Sequence, residues 1–242
     1  MMHEFRGRQN FVRVDIGANS EGKTPTQIYD LIAYQKAFPW KKIIVSEGQG
    51  KFRDAHDRRD LRIDFFIKKT NEDWAGEKQN GLQEYTEPKP GVRVYRFAHS
   101  CWVVDDLKLL LPGNDTPGDV LGLFFLRPAP NFNMDMMFSF HEPRNIIEGL
   151  KGYPTHYHIY KNNADQKQFI DKMLACHQAA WKATLIVNEY ARLYPGHYDV
   201  ETHTPYFPHI IVEKDKPFPL QYVNMDTEKL KPILEFHNRK NK

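Results

Sequence analysis

The sequence predicts an α/β fold: a mostly parallel central sheet flanked by helices, with an inserted segment and a helical or irregular C-terminal extension. Three consecutive patterns carry that expectation. FVRVDI (11–16) alternates as a strand does, TPTQIYDLIAYQKAF sets Ile28, Leu31, Ile32 and Phe38 on one helical face, and KKIIVSE (41–47) is a short buried-type strand. Strand, loop, helix and strand in that order are the βαβ rhythm of a parallel sheet.

Residues 48–90 are more polar and are expected to form the insertion. Within them, KFRDAHDRRDLR mixes both charge signs and reads as a solvated face, or as a pore lining if the protein encircles a polyanion. LRIDFFIKK (61–69) predicts a strand, and the Gly/Pro-rich stretch 76–91 a loop. VRVYRF (92–97) and CWVVDDL (101–107) predict further strands, whereas GDVLGLFFL (118–126) fits a short helix or a buried strand. MDMMFSF (134–140) is strand-like and ends at His141-Glu142-Pro143; a helical turn over RNIIEGL and an alternating strand, THYHIYKN (155–162), follow. The longest helix is expected from Ala164 to Leu193, with Asn163 and Gln166 as a capping box and Pro195-Gly196 as its stop. A late helix, TEKLKPILEF, carries Pro232, and the tail ends in HNRKNK. No composition shift marks a boundary, so the expectation is one domain over 1–242, with its core at 11–162, the insertion at about 48–90 and the extension at 163–242.

Composition narrows the function classes. Of 242 residues, 40% are hydrophobic and 27% charged, and 34 Lys plus Arg against 31 Asp plus Glu give +3, too small a surplus to mark a nucleic-acid binder by itself. No apolar run approaches the roughly 18 residues that span a bilayer, and MMHEFRGRQN lacks a secretory apolar stretch. Two cysteines, Cys101 and Cys176, form no CxxC pair, so neither a disulfide framework nor a zinc ribbon is expected. A reducing, cytoplasmic compartment is the default.

Gly17-Ala18-Asn19-Ser20-Glu21-Gly22-Lys23-Thr24 fits G-x-x-x-x-G-K-[ST], the P-loop or Walker A pattern. Glycines let the backbone wrap a phosphate with successive N–H groups pointing at it, and the following helix presents its positive end. Lys23 would reach the β- and γ-phosphates of ATP, and the Thr24 hydroxyl would hold Mg²⁺. Arg13 and Asp15 are unusual in a strand that should be central, and Pro25 removes an N–H beside the loop, although a first helical turn tolerates it. Walker B chemistry needs a second acidic site at a strand end. Trp102-Val103-Val104-Asp105-Asp106 supplies one, with Asp105 in the Mg²⁺ shell and Asp106 orienting or deprotonating the attacking water.

With these motifs in this order, the sequence resembles additional-strand (RecA-like) P-loop NTPases, and more narrowly the HerA–FtsK superfamily of DNA-pumping motors, including viral genome-packaging ATPases and Zot-like phage proteins. The resemblance runs over 11–162 through GANSEGKT, KKIIVSEGQGKFRD, CWVVDDLKLLL, LRPAPNFNMDMMFSFHEPRNIIEGL and THYHIYKN. It implies an ATP-hydrolysing DNA translocase that takes duplex DNA, forms a homo-oligomer of hexameric-ring type and docks at a capsid or membrane without an integral membrane segment. In a viral setting the compartment would be the host cytoplasm or the virion. It further implies a polar sensor at the γ-phosphate, for which Ser139 and His141 stand in the right neighbourhood, with Phe140 where Gln, Thr or Ser is common. An arginine supplied to the neighbouring subunit's site is also implied, with Arg127 and Arg144 as the better-positioned candidates, then Arg58 or Arg59.

Two other readings compete. His156 and His158 share one face of a strand, as two metal ligands would, and His-hydrophobic-His marks metal nucleases of the rolling-circle and relaxase type acting on single-stranded DNA. Tyr190 or Tyr194 would then be the nucleophile; the bland alternative is two partly buried histidines. The other reading is a slow nucleotide-binding switch or scaffold. Glu87-Pro88-Lys89 is broken by proline as a nuclease motif, and His197, Asp199, His203 and His209 read as a surface loop before a metal cluster.

Overall fold

The computed structural model describes residues 10–47, 50–58, 60–66, 84–86, 93–95, 98–105, 133–147, 150–173 and 176–239. Up to the middle of the chain the elements are β1 (Val12–Ile16), α1 (Lys23–Ala37), β2 (Lys42–Ser46), α2 (Lys51–Asp57), β3 (Phe65–Phe66), β4 (Glu84–Thr86), β5 (Arg93–Tyr95), β6 (Ser100–Val104) and β7 (Met134–Phe140). After a 3₁₀ turn at Pro143–Asn145 come β8 (His156–Ile159), α3 (Gln166–Met173), α4 (His177–Leu193), β9 (His197–Asp199), β10 (Thr204–Tyr206), β11 (His209–Glu213), β12 (Gln221–Val223) and α5 (Thr227–Arg239). The main sheet has the strand order β12-β11-β8-β1-β7-β6-β2-β3 and is mostly parallel, with β11 and β12 antiparallel at one edge. The α/β expectation holds.

The described residues divide into two compact units. In the first (Met1–Val12, Asp30–Phe138 and Ile147–Tyr153), β2 pairs in parallel with β6 and β3, and β6 with β7, so Ile44, Trp102 and Met136 lie in one row. All three are buried, as strands covered on both faces require. Trp102 donates its indole N–H to Ser46 Oγ (2.9 Å), which satisfies the one polar atom of a fully buried ring. The Asp135 carboxylate accepts from Phe11 N (2.8 Å), Lys41 Nζ (2.5 Å) and the Tyr34 hydroxyl. Burial, then the neighbouring Cys101 and Asp135, pushes the Tyr34 hydroxyl far above its ordinary range, so it stays a donor.

The second unit comprises Arg13–Tyr29, Ser139–Ile146 and Pro154–Lys242. Here β1 pairs in parallel with β8, and β11 runs antiparallel on the other side of β8. Helix α4 packs on β8 and β11, with α3 and α5 against it. Its buried residues Ala180, Ala183, Thr184, Val187 and Tyr190 recur at helical spacing. Arg13 and Asp15, the two charges that looked out of keeping with a central strand, are 1% and 0% exposed and face one another at i and i+2. Arg13 Nε lies 2.6 Å from Asp15 Oδ1 and Nη2 lies 3.0 Å from Oδ2, so the strand neutralises its own charges.

Several local expectations are corrected. In place of the single helix expected from Ala164 to Leu193 stand α3 (Gln166–Met173) and α4 (His177–Leu193), with Cys176 just ahead of α4 donating its thiol to Met173 O. The cap of α3 is Asp165, whose Oδ1 accepts from Gln168 N (2.9 Å), not Asn163. The mixed-charge run 51–62 begins as α2, and Glu47 caps it by accepting from Phe52 N and Arg53 N. Among the described residues of the strand expected over 61–69, Phe65–Phe66 are regular; one residue earlier the Asp64 side chain, not main chain, accepts from Ile43 N (2.8 Å). GDVLGLFFL and Glu87-Pro88-Lys89 lie outside the described residues.

Both cysteines are buried, and burial pushes the Cys176 thiol up to about 11. A thiol-reactive dye at pH 8 should label neither cysteine in the native protein and both after denaturation, read by absorbance.

Candidate functional site

The Walker A loop leaves β1 at Ile16 and enters α1 at Lys23. Gly17 N donates to Phe140 O (3.1 Å) at the end of β7, and Ala18 N to Lys161 O (2.8 Å) just beyond β8, so the loop springs from two strand ends. Ser20 (φ 64°) and Gly22 (φ 86°) both lie in the left-handed region, and the glycine adopts it without a Cβ penalty. Alternating backbone handedness of this kind turns successive N–H groups toward one point, the nest that binds anions.

Lys23 is 8% exposed and its ammonium donates to the carbonyls of Gly17 (2.5 Å) and Ala18 (2.9 Å). The charge is thereby held over the loop and not on a swinging side chain. Helix α1 runs 15 residues with no acidic residue in its own first turn to offset its positive end; Glu21, the acid within the loop, is paired with Lys161 (3.2 Å). The first helical bond near the loop runs from Thr26 N to Gly22 O (3.1 Å). Pro25 precedes it and gives up only an N–H that the helix leaves unused, which is why the proline is tolerated. Thr24, adjoining Lys23 in that turn, is 7% exposed.

The other expected site residues fall as follows. Asp105, just past the C-terminal end of β6, is 7% exposed, and its N–H donates to Ser46 O (2.9 Å). Asp106 and Arg127 lie outside the described residues, as does Arg59. Ser139 is buried near the end of β7, and half-buried His141 follows Phe140, whose carbonyl holds Gly17. Arg144, in the 3₁₀ turn, is exposed and paired with Glu142, while Arg58 pairs with Asp60 (3.0 Å).

The histidine pair is structural in character. His156 and His158 are buried on β8 opposite Arg13 and Asp15; His158 Nδ1 lies 4.0 Å from Asp15 Oδ1, and its ring stacks on His209 (5.3 Å between centroids). Tyr190 is buried and its hydroxyl accepts from Asp226 N (2.8 Å), whereas Tyr194 is partly exposed with Lys229 over its ring. Among the described residues, no group of three or more His, Cys, Asp or Glu side chains is arranged to hold a metal ion. His197, Asp199 and His203 lie on or beside the β9–β10 hairpin, as the surface reading expected, whereas His209 departs from that reading and is buried at the start of β11.

Sequence reading missed the residues that press on the loop. A Cβ placed on Gly17 would stand 2.6 Å from Tyr160 Cβ, and one on Gly22 would stand 2.0 Å from Phe207 Cγ. Tyr160 is foreshadowed by its two-residue spacing from His158; Phe207, between two prolines far along the chain, carries no such signal.

No protein-family model matches the chain, and no curated protein sequence matches it. Among solved structures it is similar to the genome packaging NTPase B204 from Sulfolobus turreted icosahedral virus 2 in complex with ATPγS, at 9% identity and a TM-score of 0.53 over 90% of this chain and 98% of that one. The AMPPCP complex of the same protein gives 9% identity and a TM-score of 0.54 with the same coverage. EccC (ATPases 2 and 3) from Thermomonospora curvata, in complex with a signal sequence peptide, aligns at 13% identity and a TM-score of 0.50 over 90% of this chain and 37% of that one. At such identities the likeness is one of fold alone, a mostly parallel sheet flanked by helices.

The buried pair beneath the loop makes a testable contribution. Asp15→Ala removes the carboxylate from a buried guanidinium and should cost about 3–5 kcal/mol, whereas Arg13→Met/Asp15→Leu should cost less than either single change, both measured by urea denaturation.

Proposed function

We propose that this chain hydrolyses ATP to move DNA, as a viral genome-packaging ATPase does. The observation that carries the proposal is Lys23, held by two loop carbonyls at the N-terminus of α1. That arrangement is built for a polyphosphate: the loop N–H groups take its oxygens, the helix end and the ammonium take its charge. Nucleotide binding is further supported by the likeness in fold to an NTPase held in complex with ATPγS and AMPPCP. The packaging role rests on that protein's being a genome packaging NTPase and on the order of motifs in this sequence.

In this proposal Gly17 to Thr24 bind the triphosphate, and Lys23 neutralises charge that grows on the transferring phosphoryl group. Thr24 and Asp105 offer a hydroxyl and a carboxylate, hard oxygen donors that fit Mg²⁺. Bound there, Mg²⁺ would screen the β- and γ-phosphate charge. Asp106 orients the attacking water and accepts its proton; Ser139 and His141 serve as sensors of the γ-phosphate. Arg127 or Arg144 acts on the neighbouring subunit's site in a hexameric ring around duplex DNA, in the cytoplasm or at a virion. Among the described residues no helix is long and apolar enough to cross a membrane, so membrane or capsid attachment would run through a partner.

Steady-state ATP hydrolysis with and without duplex DNA tests the proposal. DNA should stimulate turnover, and Lys23→Ala should lower it by about 100-fold or more. Equal rates for the two proteins would sink the Walker A assignment; nucleotide binding without DNA stimulation would leave a switch in place of a motor.

A further inference from the structure

The C-terminal extension, to which the sequence assigns no role, meets the nucleotide loop directly at Gly22 and reaches Gly17 only through Tyr160. The Phe207 ring sits between Gly22 and Gly196: a Cβ on Gly22 would meet its Cγ at 2.0 Å and Cδ2 at 2.3 Å, and a Cβ on Gly196 its Cδ1 at 2.6 Å. Two residues on, the His209 ring stacks on Tyr160 with centroids 4.6 Å apart and planes 21° from parallel. Tyr160 in turn presses on Gly17, where an added Cβ would stand 2.6 Å from the tyrosine Cβ.

The segment that makes these contacts is itself fixed. Pro205 and Pro208 flank it, Asn224 Nδ2 donates to the carbonyls of Pro205 and Phe207 (3.2 Å each), and the His209 ring lies 3.1 Å from Phe207 O through Nδ1. The Phe207–His209 stretch is therefore a rigid brace with one contact at each end of the loop.

We infer that Phe207 and His209 are positioning residues for the phosphate loop: Phe207 sets Gly22 directly, and His209 sets Gly17 through Tyr160. The inference rests on the reading of GANSEGKT as a nucleotide loop. Phosphate binding needs several N–H groups to converge on one point, and displacement by about 1 Å at such a site can cost up to about 100-fold. Removing the ring would leave a space beside Gly22 into which the loop relaxes.

The test is equilibrium binding of Mg·ATP and of inorganic tripolyphosphate, followed by calorimetry well below Tm, for wild type, Lys23→Ala, Phe207→Ala, Phe207→Leu and Gly196→Ala. Phe207→Ala should weaken both ligands about ten-fold or more, and by the same factor, because the phosphates alone report the loop. Phe207→Leu should restore most of that loss. Gly196→Ala, remote in sequence from the loop, should reproduce it by pushing the ring aside, and the double variant Phe207→Ala/Gly196→Ala should bind no worse than the weaker single one. Should Phe207→Ala fail to fold, the leucine and Gly196 variants carry the same comparison. A lowered Tm with unchanged affinities would overturn the inference, leaving Phe207 a packing residue. A loss for ATP but not for tripolyphosphate would overturn it too, by making Phe207 a nucleoside contact. Wild-type protein that binds neither ligand, with Lys23→Ala indistinguishable from it, would instead remove the nucleotide-loop reading, and the brace with it.

Discussion

Close packing against two positions that lack a β-carbon governs the loop between β1 and α1. Gly17 accepts Tyr160 and Gly22 accepts Phe207 at separations that no other residue's Cβ would allow. The Walker A pattern explains these glycines by the approach of a phosphate to the backbone. In this protein the opposite sides of the same glycines are occupied by aromatic side chains, so the conformation of the loop is fixed by packing within the protein. A loop held in this way meets its ligand with little ordering left to do, which is the physical content of preorganisation.

The buried charges obey a related constraint. Strands covered on both faces satisfy their polar groups from within, and each compact unit holds a buried carboxylate that does so. In one unit Asp15 takes both guanidinium contacts from its own strand neighbour, Arg13. In the other, Asp135 gathers Lys41, the Tyr34 hydroxyl and the Phe11 amide from three separate segments. The Arg13–Asp15 pair needs only a strand to bring it together. The Asp135 cluster exists only once the unit has folded, and so links the start of β1 to α1 and β7.

The fold was legible because its elements announce themselves locally. FVRVDI alternates, KKIIVSE is continuous and apolar, and GANSEGKT sits between a strand and a helix; each became what its pattern predicts. The failures were also local. One helix pattern spans Ala164 to Leu193 where the structure has α3 and α4, because periodicity records apolar spacing and not where a helix begins anew. Asn163 matched the capping spacing, yet Asp165 stood where the first helical N–H groups pointed.

For this protein the sequence by itself determined the α/β class, the loop that Lys23 serves and the acidic strand end at Asp105, since each depends on residues within a few positions of one another. Only the tertiary structure decided that the strand carrying Arg13 and Asp15 is buried with His156 and His158 opposite them, and that Phe207 lies on Gly22. Those outcomes depend on contacts between residues distant along the chain. Phe207 lies 185 positions from Gly22, a separation that no local spacing encodes and only the packing of the folded chain brings to van der Waals contact.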